Sequence, residues 1–265
     1  MATPAADRWA AELAAWAIPD EILAAAPESP WGFPPALFQA PEADVGADTP
    51  SRRRALEALP HGGVVLDVGA GGGAASLPLC PPAGRLVAVD ESAGMLESLA
   101  VRAAELGVGH EEVQGRWPDV APTVPVADVV VCHHVFYNVP DLAAFALALT
   151  DHARRRVVAE LTASHPLTAQ AGLWRHFHGI DRPEGPTAAD AVAVLKEAGL
   201  DVVTERFAVA PRPRPDRAEW VAFVRRRLCL QPDRDAELDA LLPTDDALLR
   251  PREAVALWWD GSAPT

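Results

Sequence analysis

Residues 64–79 read Val64-Val-Leu-Asp-Val-Gly-Ala-Gly-Gly-Gly-Ala-Ala-Ser-Leu-Pro-Leu79. The first five are apolar and mostly β-branched, with one acid near the end, which is the pattern of a buried parallel strand. Gly69, Gly71, Gly72 and Gly73 then make a turn with almost no side chains. Such a turn tolerates backbone conformations that other residues avoid and lets a ligand approach closely. Ala74-Ala-Ser-Leu77 is expected to open a helix directly afterwards. Strand, glycine turn and helix together would present backbone N–H groups and a helix N-terminus to a ligand.

A second strand sharpens this reading. Arg85-Leu-Val-Ala-Val-Asp90 ends in an acid seventeen residues after Gly73. In a βαβ unit that spacing brings a carboxylate to the hydroxyl pair of a ribose. The unit is therefore expected to bind a nucleoside-bearing cofactor.

The form Asp67-Val-Gly69-Ala-Gly71-Gly-Gly73 resembles motif I of the class I S-adenosylmethionine-dependent methyltransferases. An acid two residues before the first glycine suits a cofactor whose amino-acid end carries an ammonium group. It would repel the pyrophosphate of a dinucleotide, and position 74 is Ala where G-x-G-x-x-G would place its third glycine. An NAD(P)-dependent oxidoreductase on a similar sheet is thus the weaker alternative. A non-catalytic S-adenosylmethionine-binding protein is the other.

Composition narrows the partners. With 23 basic and 37 acidic residues the formal net charge is −14, which disfavours nucleic acid because phosphate contacts need clustered Lys and Arg. Arg52–Arg54, Arg154–Arg156 and Arg225–Arg227 are short runs of the kind that line solvated helix faces or ends. Cys80, Cys132 and Cys229 are far apart and lack metal or redox spacing, so free thiols in a reducing cytoplasm are expected. Asp7 and Glu12 interrupt the apolar N-terminal stretch and argue against a signal peptide, and no run is long enough to span a bilayer. Heavy use of Ala, Pro and Arg, with Lys196 the single lysine, fits a GC-rich bacterial genome.

Along the chain, Trp9, Leu13 and Trp16 mark an amphipathic helix over 7–17, and a second short helix follows Pro19 through Ala26. Pro27 to Pro35, with Trp31 and Phe33, and then Phe38, reads as rigid and aromatic. Residues 1–48 are expected to form a helical, proline-rich cap, and 49–265 the cofactor-binding domain. Thr49, Asp141 and Thr187 are expected N-caps, Gly107 and Gly199 helix stops. Strands are expected at 111–115, 127–132, 156–161, 201–209 and 254–259, with a helical insertion at about 211–250. The alternation gives an α/β, doubly wound, mostly parallel sheet. The order also resembles the seven-stranded methyltransferase fold, Rossmann-like with its last strand antiparallel beside strand five. The cap and the Trp174-Arg-His-Phe-His-Gly element resemble a bacterial subgroup of that family.

The resemblance implies S-adenosyl-L-methionine as cofactor. Asp67 and the loop Gly69, Ala70, Gly71, Gly73 would hold its methionine end. Asp90 and Glu91 would meet the ribose, with Met95 nearby, and Arg116 and Trp117 would edge the adenine. Family members often place an acid where Arg116 stands, so that contact differs here. Cys132 and His133 would lie beside the sulfonium. Ligands of open α/β sheets sit at the carboxyl ends of the strands, so His133, His134, Tyr137 and His165 are the candidate catalytic residues on the acceptor side. His176 and His178 could line the same cavity. Neighbouring histidines on one strand end do not easily share a metal, and no H-x₃-H or Cys partner supports one; none is expected. A small-molecule methyl acceptor follows as the expected substrate.

Overall fold

The computed structural model describes residues 3–31, 48–209, 216–243 and 252–264. Seven strands, β1 (Val64–Val68), β2 (Arg85–Asp90), β3 (Gly109–Gln114), β4 (Ala127–His133), β5 (Ala153–Thr162), β6 (Val203–Val209) and β7 (Arg252–Asp260), form one sheet in the order β3-β2-β1-β4-β5-β7-β6. The pairs from β3 to β5 are parallel, and β7 runs antiparallel between β5 and β6. The fold is the expected Rossmann-like methyltransferase sheet.

Side-chain alternation along the central strands assembles two cores, one on each face. Leu66, Val68, Val130, Cys132, Val157 and Ala159 join the core that takes up residues of α1 (Pro4–Ala14), α5 (Leu142–His152) and α7 (Ala188–Glu197). Val65, Val129, Val131 and Val158 join the other, against α3 (Pro50–Ala58) and α4 (Ala93–Glu105). Continuous Val and Leu runs thus signal strands buried on both faces. The helices start where their caps stand: Thr49, Ser92 and Asp141 each accept a backbone N–H, and Thr187 forms a capping box with Asp190.

One expected element is absent. No α-helix follows the glycine turn; residues 71–76 are turns, ending in a single 3-10 turn at Leu77–Leu79. Gly71 and Gly73 hold φ of 51° and 83°, which a right-handed helix excludes. Pro78, Pro81 and Pro82 then prevent propagation. A Cβ on Gly73 would stand 2.7 Å from Leu77, so glycine is required there by packing as well.

The N-terminal segment divides between two bodies. Thr3 caps α1, Pro4 opens it and it ends at Ala14, so Trp16 lies in the turn beyond. Trp9 is fully buried in the main core and donates Nε1–H to the Val139 carbonyl at 2.8 Å. By contrast α2 (Asp20–Ala25) packs with α6 (Ala171–His178), α8 (Arg217–Arg227) and α9 (Asp235–Leu241) around a third core, built on Ile18, Trp174, Val221, Val224, Leu228 and Leu238. Topology sets that third core at the carboxyl edge of the sheet: α6 follows the end of β5, and α8 and α9 lie between the end of β6 and the start of β7. A run of rings joins the bodies. Trp9 stacks on Tyr137 (5.7 Å), Tyr137 meets His165 edge-on (5.2 Å), His165 stacks on Trp16 (4.2 Å), and the Arg182 guanidinium lies over Trp16 and Trp174. Phe33 and Phe38 lie outside the described residues.

The fully buried indole makes α1 part of the core. Trp9→Ala should therefore cost about 3–5 kcal/mol of stability, the usual range for emptying an aromatic core site. Denaturant unfolding checks this, and a loss below about 1 kcal/mol, the range of ordinary surface substitutions, would make α1 a detachable appendage.

Candidate active site

Three acids and two histidines collect where the parallel strands end. Asp67 lies on the face of Val65, His133 on that of Val131 and Glu160 on that of Val158, so all three side chains project to the α3 side of the sheet. Asp67 is 1% exposed and accepts a hydrogen bond from the Ser76 hydroxyl at 2.6 Å through Oδ2. Its Oδ1 is enclosed with no partner. Burial, with the charge of Asp90 added, raises its carboxyl to about 7 against the Ser76 hydrogen bond.

The glycine turn folds against this carboxylate and is held by the strand-two edge. Gly69 and Ala70 donate their N–H groups to the Val89 carbonyl at 2.8 and 3.1 Å, and Gly73 donates to Ala70. Gly71 N–H reaches Asp90 Oδ2 at 2.8 Å, while Asp90 Oδ1 accepts from Ser92 N–H at 2.8 Å. Each Asp90 oxygen keeps a second lone pair for a hydroxyl donor. A Cβ at Gly69 would strike Val135 at 2.3 Å, whereas one at Gly71 would meet nothing within 4 Å. Gly69 is thus a packing glycine, and the space over Gly71 is open to a ligand.

Around this turn, Glu91 is exposed and lies 3.9 Å from Arg116, which is itself exposed. Half-buried Met95 sits in the first turn of α4, its N–H held by Ser92. Trp117 belongs to the core: it is 5% exposed and lies edge-on to His152, with Nε1 enclosed and unpartnered. Its ring is therefore a core element and not an exposed stacking face. Cys132 is fully buried in the same core, and burial together with Asp67 pushes its thiol well above the ordinary range.

The proposed catalytic histidines separate into two groups. His133 is half-buried with Nε2 enclosed and unpartnered; burial lowers its pKa, although Glu160 opposes this. His134 is exposed, with Nε2 3.4 Å from Glu160 Oε1. Tyr137 and His165 instead pair with one another. The Tyr137 hydroxyl donates to the Thr162 carbonyl at 2.8 Å, and burial raises its pKa. His165 is 7% exposed, its Nδ1 accepts from Leu167 N–H, and burial together with Arg227 lowers it to about 4. Both rings join the cap to the domain. His176 bonds Glu237 and His178 bonds the Leu228 carbonyl, so both are spent inside the helical body. Among the described residues no group of three His, Cys, Asp or Glu side chains could hold a metal ion, and no helix is long and apolar enough to cross a membrane.

Sequence reasoning passed over Glu160. Its signal was the one that marked Asp67, an acid one residue before the end of an apolar run, here Val157-Val-Ala-Glu-Leu161. Asp67 Oδ1, His133 Nε2 and Trp117 Nε1 are buried polar atoms without partners, the kind of unmet demand that accompanies a functional site.

Comparison with known proteins agrees with this geometry. Residues 65–156 match a family model described as a methyltransferase domain. No curated protein matches the chain. Among solved structures, the YcgJ protein of Bacillus subtilis superposes with a TM-score of 0.51 at 15% identity, covering 81% of this chain and 99% of its own. A structure concerned with the conversion of a disulfide bond into a thioacetal group during echinomycin biosynthesis gives 0.54 at 18% identity, over 93% of this chain and 92% of its own. A cyclopropane-fatty-acyl-phospholipid synthase-like protein of Lactobacillus casei gives 0.53 at 16%, over 79% and 89%. At such identities these likenesses establish the fold.

The raised pKa of Asp67 fixes a sign for stability. Below the unfolded value near 4 the carboxyl is neutral in both states. Between there and about 7 only the unfolded chain ionises, so this group's contribution falls as pH rises, by about 1.4 kcal/mol per pH unit. Asp67→Asn should gain stability relative to wild type across that window and hold the gain above it. A wild-type-to-variant difference that is flat from pH 4 to 8 in denaturant titrations would show that Asp67 is ionised throughout.

Proposed function

We infer, from a chain that is a class I S-adenosylmethionine-dependent methyltransferase, that its acceptor is a small molecule received between the glycine turn and the helical body. The observation carrying this is the position of the third core, which stands over the carboxyl ends of β5 and β6 beside the cofactor side of the sheet. An edge roofed by its own hydrophobic body suits a ligand that can be enclosed. The formal charge of −14 opposes polyanionic acceptors.

The residues fit the cofactor. The enclosed Oδ1 of Asp67 asks for a donor, which the ammonium of the methionine end would supply, favouring the ionised carboxylate. The open space over Gly71 would admit the cofactor against the backbone, with Gly69, Ala70 and Gly73 shaping the turn. Asp90 would take the ribose hydroxyls on its remaining lone pairs, with Glu91 and Met95 alongside. Arg116 and the Trp117 backbone would border the adenine, and the Cys132 backbone and His133 would form the floor beside the sulfonium. When bound, S-adenosylmethionine supplies a methyl group already activated by positive charge. The chain's own work is then to align the acceptor and exclude water, and to remove a proton where the acceptor carries one. His133 and His134 stand at the strand end suited to that last task; Tyr137 and His165 hold the cap that closes over it.

Two measurements test this reading. Incubation with methyl-labelled S-adenosylmethionine and separate pools of small metabolites, RNA and protein should label only the first; label in a macromolecule would overturn it. Asp90→Ala should weaken S-adenosylhomocysteine binding by roughly 1.5–3 kcal/mol, the usual worth of hydrogen bonds to a charged group. Calorimetry on the folded variant checks this, and unchanged affinity removes Asp90 from the site.

A further inference from the structure

Glu160 is 8% exposed at the end of β5, yet it is held ionised. Burial pushes its carboxyl upward, but His134, His133 and the Ser51 hydroxyl outweigh burial and hold it at about 2. Ser51, fully buried on α3, donates to Oε2. On the other side, His134 is gripped twice by this one residue. Its backbone N–H donates to the Glu160 carbonyl at 2.7 Å, and its ring Nε2 lies 3.4 Å from Oε1.

That double grip goes with an unusual backbone. His134 has φ of 61°, a left-handed conformation that is strained for a non-glycine residue and persists only where the surroundings impose it. Nδ1 of His134 has no hydrogen-bond partner among the described residues, and the side chain is 47% exposed. A neutral ring with its proton on Nε2, toward the carboxylate, carries its lone pair on Nδ1, away from it.

We propose that Glu160, braced by Ser51, is a positioning residue that fixes His134 as the proton acceptor for a methyl acceptor bearing an ionisable X–H, a hydroxyl or an ammonium. The proton leaves X for the Nδ1 lone pair and forms a new N–H bond. The X–H electron pair stays on X as the attacking pair. The imidazolium so formed is balanced by the Glu160 carboxylate until the exposed ring returns the proton to solvent. The inference rests on the carboxyl edge being the acceptor site, and it deepens that reading by naming the acceptor class.

The test needs no acceptor. Diethylpyrocarbonate modifies neutral imidazole nitrogens, and peptide mapping reads each histidine separately, with exposed His61 as internal reference. Glu160→Gln should slow His134 modification about fivefold, about 1 kcal/mol and of the order expected for losing one ordinary hydrogen bond, with the His61 rate and S-adenosylhomocysteine affinity unchanged. An unchanged His134 rate in the folded variant overturns the proposal, as does a loss of S-adenosylhomocysteine affinity of tenfold or more, which would put Glu160 in the cofactor site. If Glu160→Gln does not fold, nitrogen chemical shifts of histidine in the wild-type protein decide. A proton on Nε2 of His134 supports the proposal and a proton on Nδ1 overturns it. Failure of the wild-type protein to bind S-adenosylhomocysteine would strike the cofactor reading itself and is read separately.

Discussion

A carboxylate sealed inside a parallel sheet has to be matched by donors supplied from the strand ends, and Asp67 imposes that demand on the centre of this fold. Ser76 meets it on one oxygen and leaves the other unmet. Asp90, on the adjoining strand, spends both its oxygens on the N–H groups of Gly71 and Ser92. Two acids, and not an α-helix, therefore anchor the glycine turn. Most N–H groups of the turn are spent on protein acceptors, so the anion-attracting helix end expected from the sequence is replaced by an acidic cradle. That favours the cationic end of a ligand over a phosphate, and the charge of Asp90 adds to burial in raising the Asp67 carboxyl.

The sheet was legible because strands buried on both faces announce themselves as Val and Leu runs, and a parallel order leaves their polar ends at one edge. Thr49, Asp141 and Thr187 were legible as caps for an equally local reason, since side chain and recipient N–H lie within three residues. The helix after the glycines was not. Ala74-Ala-Ser-Leu77 has helical composition, but Gly71 and Gly73 with positive φ precede it and Pro78, Pro81 and Pro82 interrupt it. Histidines could be placed on the carboxyl edge but not oriented. His133 ends one strand and His165 follows its neighbour, yet His165 stacks on Trp16 while His133 stands beside Glu160 in the sheet register. The choice depends on partners from other elements, Trp16 well over a hundred residues before His165 and Glu160 on the strand beside His133, which no local pattern carries. Glu160 could have been found by the rule that found Asp67.

The cap shows how much such distant partners matter. Trp9 and Trp16 lie seven residues apart and look like one helical stripe. Because α1 ends at Ala14, Trp9 enters the main core while Trp16 turns to His165 and accepts Arg182 above it. The rings from Trp9 to Trp174 join two hydrophobic bodies, each contact adding to the area already buried. The link ties the third core to the main one through Trp16 and His165.

The polarity of that enclosed edge constrains the chemistry further. Asp67, Asp90 and Glu160 gather acids at this edge, with the imidazoles of His133 and His134 beside Glu160 and the Arg102 guanidinium at the Gly72 carbonyl of the turn. Water exclusion strengthens every charge that remains, so an anionic acceptor would bind against two or three carboxylates, whereas a neutral hydroxyl or an ammonium would not. Such an acceptor arrives with its proton, and deprotonation beside these carboxylates is uphill unless the proton moves to a group that they stabilise as a cation. An imidazole fixed by a buried, ionised carboxylate meets that condition. The acidic cradle that suits a cationic cofactor therefore also selects the kind of base its neighbour strand must carry.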